Sequence, residues 1–383
     1  MKKTHDCLRD SIHTVNALEQ RLRLEIADAN AVRRIAKKYP IRITDYYLKL
    51  INRDDPDDPI RKIAVPSCSE ENFSSGSFDT SGEQYNTKLR GLQHKYRETA
   101  LILTTNICSV YCRHCFRKRL VGLAEDEVVT DWDSVTAYIK EHKEISNVLL
   151  SGGDPLVLQT AYLQDILQRL ADIAHLRYVR IGTRVPVVLP QRITEGEALH
   201  GAFREFLRHG KQLYITAQYN HARELTPESL RAVRQLREDG VLVNNQTVLL
   251  KGVNDSPVAL AELQSSLARH GIIPYYVFQC RPVTSVRDEF QVPLYEGCRI
   301  VDAARQRLDG LSKRFRFVMS HPTGKIEILG WAEGGIYAKY LQTNQESLHN
   351  KIFHAPMSKD AGWLEMGPDN QQAADQAAEA VIA

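Results

Sequence analysis

From residue 100 onward, short apolar runs alternate with amphipathic segments of helical periodicity. Strands that are separated by helices in this way form a parallel sheet whose two faces are both covered. Six such units fall short of the eight that close a barrel, so we predict an α/β protein with a partial (β/α)6-type barrel. The predicted strands lie at residues 100–105, 147–150, 178–181, 212–216, 246–250 and 273–278, with a seventh at 315–320.

The regions on either side of this pattern predict two extensions. Residues 1–90 are predicted to form a helical N-terminal extension followed by a linker, because a Ser-, Gly- and Asp-rich stretch at 67–86 lacks apolar periodicity. We expect that stretch to be a solvated connection. Residues 91–345 contain the predicted barrel, and residues 346–383 form a C-terminal extension whose end, at 369–383, is predicted to be a disordered tail.

The composition excludes several classes of protein. Of the 383 residues, 43% are hydrophobic and 25% are charged, which is typical of a soluble globular protein. The net charge of +3 is too small to indicate a nucleic-acid partner. No apolar run approaches the ~18 residues of a membrane span, and the residues after Met1 do not resemble a signal peptide. Seven cysteines, an odd number with three of them clustered, indicate a reducing, cytoplasmic environment rather than a disulfide framework.

The clustered cysteines directly follow the first predicted strand. Cys108, Cys112 and Cys115 are spaced by three and then two residues, which suits three corners of a [4Fe–4S] cluster and leaves the fourth iron without a protein ligand. The alternative from spacing alone is a zinc site with His114 as the fourth ligand. In either case these residues form the loop at the carboxyl end of a strand, where ligands of parallel sheets collect.

The cysteine run CSVYCRHC resembles the CxxxCxxC motif of radical S-adenosylmethionine enzymes. The segment SGGDP after the second predicted strand is similar to the GGE-type motif of those enzymes, which contacts the methionine part of the cofactor. Together with the segments AVP at 64–66, GLQHKY at 91–96 and PYY at 274–276, these motifs resemble the lysine 2,3-aminomutase family over roughly residues 35–345. The resemblance implies a radical S-adenosylmethionine partial barrel, and its cofactors would be a [4Fe–4S] cluster, S-adenosylmethionine and pyridoxal 5′-phosphate. It further implies an isomerase that moves the α-amino group of an amino acid to the β-carbon.

The resemblance also implies roles for single residues. Arg117 matches the arginine that binds the substrate carboxylate, and Lys325 matches the lysine that carries pyridoxal phosphate, although a solvated turn lysine is the alternative there. Lys95 falls where the family has an arginine for the phosphate, while the position of a second such arginine holds Thr99. The loop before Lys325 is two residues shorter than in the family. The remaining cofactor-binding positions are Gly152, Gly153, Asp154 and Gln246.

The substrate pocket departs from the lysine-specific pattern. Two aspartates hold the lysine ammonium in that family, and their positions fall on Arg281 and on Ser320 or His321. We therefore expect a substrate other than lysine, with a glutamate-like amino acid as the first candidate. A lysine mutase with a rebuilt pocket, a structural role for Arg281 and a non-catalytic relative remain as alternatives. The expected partners are an electron donor such as flavodoxin or ferredoxin and a second copy of the chain in a homo-oligomer.

Overall fold

The computed structural model describes residues 10–23, 29–71, 75–123 and 126–365. The predicted tail at 369–383 lies outside these residues. The strands are β1 (Thr87–Leu89), β2 (Leu92–Tyr96), β3 (Thr99–Thr105), β4 (Asn147–Gly152), β5 (Tyr178–Thr183), β6 (Gln212–Ala217), β7 (Leu242–Leu249), β8 (Ile273–Gln279), β9 (Arg316–His321), β10 (Gly324–Ala332), β11 (Gly335–Gln342) and β12 (Ile352–Pro356). The α-helices are Val15–Leu22, Ala29–Lys38, Asp45–Leu48, Pro59–Ala64, Glu83–Asn86, Trp132–Glu141, Thr160–Ala171, Val185–Val188, Gln191–Thr194, Glu197–Arg208, Pro227–Glu238, Pro257–Arg269, Arg287–Phe290 and Leu294–Arg305. Short 3-10 helices lie at Cys68–Glu71, Pro155–Val157, Ala222–Glu224 and Glu346–Leu348.

The strands form one sheet in chain order, β1 to β12. Strands β3 to β9 are parallel, which confirms the seven predicted strands, although β7 begins four residues before its predicted start. Antiparallel pairs extend the sheet at both ends, from β1 to β3 and from β9 to β12. The sheet is therefore open, and its parallel part is the predicted partial barrel.

Local signals explain how individual helices begin. Thr226 caps the helix Pro227–Glu238 by accepting from the backbone N–H of Ser229, and Pro227 occupies the first turn. Ser256 caps the helix Pro257–Arg269 in the same way.

One large apolar core joins the N-terminal helices to the barrel. Leu18 and Tyr47 of the N-terminal helices belong to the same buried cluster as Val148 and Ile181 of the parallel strands. A second cluster lies between the helix Leu294–Arg305 and the antiparallel strands after β9. The N-terminal helices therefore pack as part of the barrel wall rather than as a separate body.

The stretch at 67–86 differs from the solvated connection that its composition predicts. Glu70 and Glu83 are only 1% and 7% exposed, and the backbone of Ser77 pairs with residues just after β8. At Gly76, with φ +88°, an added Cβ would lie 2.6 Å from the carbonyl oxygen of Pro282. Polar composition did not reveal this burial because the acidic side chains are buried by pairing with arginines and lysines far away in the sequence.

In the part of the chain that the structure describes, no helix is long and apolar enough to cross a lipid bilayer.

Candidate active site

A cavity of about 330 Å³ opens at the carboxyl ends of the parallel strands. It collects side chains from loops that are far apart in the sequence. Of the predicted site residues, His321 is not among those that line it. The lining includes the predicted residues Cys108, Cys112, Cys115, Lys95, Arg117, Gly152, Gly153, Asp154, Gln246, Arg281 and Lys325, and also Ser320.

The N-terminal helices hold the backbone of the cysteine loop. The N–H of Tyr111 donates to the carbonyl of Arg42 at 3.0 Å, and the N–H of Arg113 donates to the carbonyl of Ile63 at 2.8 Å. The Arg113 guanidinium is buried against Glu70, with Nη2 and Oε2 2.7 Å apart. The loop is therefore rigid on its outer side, and its three thiols face the cavity.

The three cysteines form no disulfide bond. Burial raises the pKa of Cys108 well above its ordinary value and that of Cys115 to about 11. Nη1 of Arg184 donates a hydrogen bond to Sγ of Cys112 at 2.7 Å. Buried thiols such as those of Cys108 and Cys115 ionise readily only when they bind a metal cation, as metal-bound cysteines do.

The spacing of the sulfur atoms distinguishes a cluster from a single zinc ion. Sulfurs that share one tetrahedral zinc lie about 3.8 Å apart, as bond lengths of ~2.3 Å require. In the described residues, the one trio of His, Cys, Asp or Glu whose ligand atoms all lie within 4.8 Å of one another is His94, His142 and Glu144. The three cysteine sulfurs are not such a trio, and a wider spacing agrees with a cluster in which each cysteine binds a different iron.

Gly152 and Gly153 allow two loops to meet backbone to backbone. A Cβ on Gly152 would lie 2.4 Å from the carbonyl oxygen of Thr105, and one on Gly153 would lie 2.3 Å from that of Ile107. Asp154 then fixes the neighbouring strand end, because its carboxylate accepts from the Thr183 hydroxyl at 2.6 Å and from the backbone N–H of Arg184 at 2.7 Å. All three residues line the cavity, and a contact of theirs with a cofactor stays a prediction.

Arg117 is buried with one edge of its guanidinium already bonded. Its Nε donates to Oε1 of Glu83 at 3.0 Å, Nη2 lies 2.9 Å from the same oxygen, and Nη1 donates to the Ser151 hydroxyl at 2.9 Å. Burial opposes ionisation of Glu83, but Arg117, Arg281 and Arg119 outweigh it and lower its pKa. Because each Nη carries two hydrogens, one N–H of Nη1 and one of Nη2 remain for a carboxylate.

Replacing Glu83 by alanine is expected to destabilise the protein strongly. The substitution leaves Arg117 buried without its acidic partner, a change that costs about 3–5 kcal/mol in comparable pairs. For a chain of this length, that loss corresponds to a fall in Tm of roughly 5 °C. Anaerobic calorimetry measures it, with Glu127→Ala as the control, since Glu127 is half-exposed and pairs only at the rim with Arg119. An unchanged Tm in Glu83→Ala would contradict a structural role for the pair.

Lys325 is the second residue of β10 and lies directly opposite Ser320 of β9. Only Pro322 and Thr323 connect the two strands. The loop before Lys325, which is two residues shorter than in the family, is therefore a tight turn, and Lys325 still lines the cavity. Its Nζ lies 4.8 Å from the ring centroid of Tyr276. Burial, followed by the charges of Arg180, Lys95 and Arg281, lowers the pKa of Lys325 to about 7, which makes it a competent amine nucleophile at neutral pH.

Lys95 and Arg281 both donate hydrogen bonds to Ser81. Nζ of Lys95 donates to the carbonyl of Ser81 at 3.2 Å and to that of His321 at 2.6 Å. Nη1 of Arg281 donates to the Ser81 hydroxyl at 2.6 Å, and its guanidinium lies 4.1 Å from the ring centroid of Phe116. Burial and then Arg281 lower the pKa of Lys95 to about 7. This end of the cavity is rich in cations.

Arg180 is a cavity residue that sequence reasoning missed. Its Nη2 donates to Oδ1 of Asn147 at 2.8 Å, its Nε is buried without a hydrogen-bond partner, and Asn147 also contacts Thr99. A signal was present, because Arg180 and Gly182 alternate with the buried Val179 and Ile181 along β5. Alternation of this kind places Arg180 on the barrel's inner face.

His321 lies beside the cavity and points its ring elsewhere. Its Nδ1 shares a hydrogen bond with the Thr323 hydroxyl at 2.7 Å, and Nε2 lies 3.2 Å from the carbonyl of Leu364. Burial, and then Lys95, lower its pKa to about 4, so the ring is neutral at pH 7. Of the two residues that matched the second family aspartate, Ser320 is the one that lines the cavity.

Known proteins match this chain over most of its length. The model of the radical SAM superfamily matches residues 102–263. A provisionally named L-lysine 2,3-aminomutase of Aquifex aeolicus is 43% identical over 333 residues, covering 87% of this chain and 88% of the relative. The L-lysine 2,3-aminomutase of Clostridium subterminale is 36% identical, over 83% of this chain and 75% of the relative. The glutamate 2,3-aminomutase of Clostridioides difficile is 33% identical, over 80% of this chain and 71% of the relative.

These matches agree with the cysteine loop and the open barrel. The family implies a [4Fe–4S] cluster and S-adenosylmethionine as cofactors, and the cavity fits both, since its three thiols face a space lined by several unpartnered polar atoms. The relatives include enzymes named for lysine and for glutamate, so sequence similarity does not identify the substrate. The chain belongs to the lysine 2,3-aminomutase family of radical S-adenosylmethionine enzymes, which are isomerases that move an amino group.

Proposed function

We propose that this enzyme is a pyridoxal phosphate-dependent amino-acid 2,3-aminomutase whose substrate carries an acidic side chain. The observation that carries the proposal is the charge of the cavity. Lys95, Arg117, Arg180, Arg281 and Lys325 all line it. The cavity therefore suits ligands with several negative charges, and a phosphate together with a dicarboxylic amino acid supplies them.

The residues at the Lys325 end suit pyridoxal phosphate. A lysine whose pKa is about 7 attacks an aldehyde at neutral pH. Lys95 and Arg180 line the same cavity as Lys325, so their charges favour a phosphate bound there. Arg180 thereby supports phosphate binding where the family's second arginine is replaced by Thr99. When bound, the three cofactors supply the hydrogen-abstracting radical and a covalent hold on the amino nitrogen.

The protein's part in the reaction is to hold the substrate at both ends. Two N–H groups of Arg117 remain for the α-carboxylate, while Glu83 and Ser151 fix the guanidinium. Buried Arg281 offers a charge-assisted hydrogen bond to a distal carboxylate. Both arginines are buried, which strengthens such bonds.

The carboxylates of the cavity argue against a lysine substrate. Among the described residues that line it, the acidic side chains are Glu83 and Asp154. Glu83 is bonded to Arg117 and Arg119, and Asp154 is bonded to Thr183 and to backbone N–H groups. An ammonium group placed beside Arg281 would therefore meet a like charge without a free counter-ion. This disfavours the lysine mutase with a rebuilt pocket.

Replacing Arg281 by alanine tests the substrate assignment. A charge-assisted hydrogen bond contributes about 1.5–3 kcal/mol, so kcat/KM for glutamate is expected to fall roughly 10- to 150-fold. The measurement is anaerobic turnover of an amino-acid panel with β-amino products quantified. Arg299→Ala is the control, because the Arg299 side chain is 63% exposed and forms an ion pair with Glu296 three residues away.

Two results would overturn this assignment. One is a wild-type enzyme that converts lysine faster than glutamate. The other is an Arg281→Ala variant with unchanged selectivity, which would mean that Arg281 has a structural role. A protein that binds its cofactors and converts no amino acid in the panel would instead support the non-catalytic alternative.

We also propose the remaining partners from the chemistry. The cluster needs one electron from outside, and a flavodoxin or ferredoxin delivers electrons singly at low potential. The free thiols of the described cysteines agree with a reducing compartment such as the cytoplasm. A homo-oligomer remains an expectation that analytical ultracentrifugation checks.

A further inference from the structure

Two histidines and a glutamate meet on the outer face of the sheet, away from the candidate active site. His94 lies in β2, His142 follows the helix Trp132–Glu141, and Glu144 lies in the short connection to β4. Successive residues of a strand point to opposite faces, so His94 faces outward because its neighbour Lys95 lines the cavity. None of the three lines that cavity. The proposed aminomutase reaction therefore gives them no role.

The ligand atoms of these three side chains lie close together. All of them are within 4.8 Å of one another, and the described residues contain no second such trio. The centroids of the two imidazole rings are 5.7 Å apart, and the ring planes are nearly perpendicular, at 88°. Two imidazoles on one tetrahedral zinc ion have centroids roughly 5 Å apart, since each Zn–N bond is ~2.0–2.1 Å long. Small side-chain rotations therefore bring the ligand atoms onto one ion.

Backbone carbonyls determine which nitrogen of each ring carries the proton. Nε2 of His94 lies 3.1 Å from the carbonyl oxygen of Arg97, and Nδ1 of His142 lies 2.8 Å from that of Tyr138. A carbonyl oxygen only accepts, so these two nitrogens donate, and Nδ1 of His94 and Nε2 of His142 carry the lone pairs. Metal-binding histidines are typically oriented in this way, with the second ring nitrogen donating to a carbonyl or carboxylate.

Tyr138 and Glu144 complete the arrangement. The Tyr138 ring stacks on His142 with the centroids 3.8 Å apart, which holds that imidazole in place. The Tyr138 hydroxyl lies 3.0 Å from Nδ1 of His94, so zinc binding exchanges this neutral hydrogen bond for a metal–nitrogen bond. In the described part of the chain, no lysine or arginine forms an ion pair with Glu144. Its carboxylate is therefore available as a third, negatively charged ligand.

We propose that His94, His142 and Glu144 bind one zinc ion, with water as the fourth ligand. Two imidazoles and one carboxylate are a ligand set that zinc takes in proteins, whereas magnesium and calcium prefer oxygen ligands alone. The ion ties β2 to the end of the helix Trp132–Glu141 and to the connection before β4, so it stabilises the fold. The site is independent of the proposed amino-acid substrate and of pyridoxal phosphate.

Zinc analysis of the anaerobically reconstituted full chain tests this site without turnover. After incubation with zinc sulfate and dialysis, the wild type is expected to hold about one zinc in addition to about four irons. Zinc X-ray absorption is expected to show nitrogen and oxygen neighbours at ~2.0–2.2 Å and no sulfur at ~2.3 Å, which separates this site from zinc in the cysteine loop. Saturating zinc is expected to raise the Tm by roughly 3 °C.

Glu144→Gln and His142→Gln each remove one ligand with little change of shape. The Kd for zinc is expected to rise roughly 100-fold or more, because loss of an outer-shell partner alone costs 10- to 100-fold, and zinc no longer raises the Tm. Glu141→Gln and His209→Gln are the matched controls, since Glu141 is exposed three residues before Glu144, and His209 is exposed and follows a helix as His142 does. All four variants are expected to keep their iron.

Glu144→Gln keeps the test decisive if His142→Gln fails to fold. Glu144 lies outside the helices and strands, so its replacement by an amide of the same shape is not expected to disturb the fold. Circular dichroism and the iron content verify the folding of each variant before its affinity for zinc is compared with that of the wild type.

Three results would overturn the proposal. One is a wild-type protein that carries its cluster and retains no zinc after dialysis. Another is bound zinc with sulfur neighbours, which would place the ion in the cysteine loop. The third is an unchanged Kd for zinc in a folded Glu144→Gln or His142→Gln variant, which would leave that side chain with a role in packing alone.

Discussion

Replacing any one of Cys108, Cys112 and Cys115 by alanine is expected to abolish the iron–sulfur cluster. Each thiol supplies a different corner, and two remaining ligands hold a four-iron cube too weakly to survive purification. The wild type purified without oxygen is expected to contain about four irons per chain and to show a broad visible absorbance, while each variant loses both. Iron analysis and absorbance spectroscopy measure the effect, and circular dichroism verifies that the variants are folded.

The remaining described cysteines supply matched controls. Cys68 is exposed, and Cys298 is buried among apolar side chains of the second core. Cys68→Ala and Cys298→Ala are therefore expected to keep their iron. Cys280 is the most stringent control, because it lines the cavity next to Arg281 and yet belongs to a different strand end from the cysteine loop. Zinc in the purified wild type, with activity that iron does not restore, would refute the cluster assignment.

Much of the fold could be predicted because local patterns determine it. The parallel strands β3 to β9 are short apolar runs bounded by turn residues, and each of β3 to β8 is followed by a segment with helical periodicity. The antiparallel strands at the two ends of the sheet escaped prediction. The residues of β1 and β12 are only partly buried, so the apolar signal that identifies a strand is weak in those two strands.

The residues of the candidate site likewise include some that the sequence predicts and others that it does not. Cys108 was predicted from a short cysteine motif, whereas Arg117 and Lys325 were predicted from the resemblance to a family, and the structure brings all three to one cavity. Glu83 was missed because its importance comes from Arg117 and Arg119, 34 and 36 residues further along the chain. Ser81 was missed for a related reason, since it contacts Arg281 from 200 residues away. Pairings over such separations leave no periodic signal in a single sequence.

The two ends of the cavity are built differently. The cysteine loop after β3 and the Gly152–Gly153 loop after β4 pack together by backbone contacts, so the cluster end is rigid. The opposite end of the cavity carries Arg281, in the loop after the parallel strand β8, and Lys325, on the antiparallel strand β10. A substitution at Arg281 is therefore expected to leave the backbone contacts of the two loops at the cluster end undisturbed.

Replacing Lys325 by alanine is expected to remove covalently held pyridoxal phosphate and to lower turnover by roughly a thousandfold or more, as when other covalent catalytic residues are removed. Borohydride reduction followed by peptide mapping should find the pyridoxyl group on Lys325 of the wild type. Lys251→Ala is the matched control, because Lys251 is an exposed lysine just after β7 at the same end of the sheet. The iron content of Lys325→Ala is expected to be unchanged, since Lys325 is not in contact with the cysteine loop.

The pH dependence of labelling tests the physical basis of this role. Burial, Arg180, Lys95 and Arg281 disfavour the charged form of Lys325 and lower its pKa to about 7. The amine is protonated and inert below that pH and neutral above it, so the rate of attachment of pyridoxal phosphate should rise between pH 6 and 8 and then level off. An ordinary lysine, with a pKa near 10.5, would show a rate that keeps rising through pH 9. A rate that still rises above pH 9 would mean that Lys325 is solvated, and labelling of another lysine would place the cofactor elsewhere in the cavity.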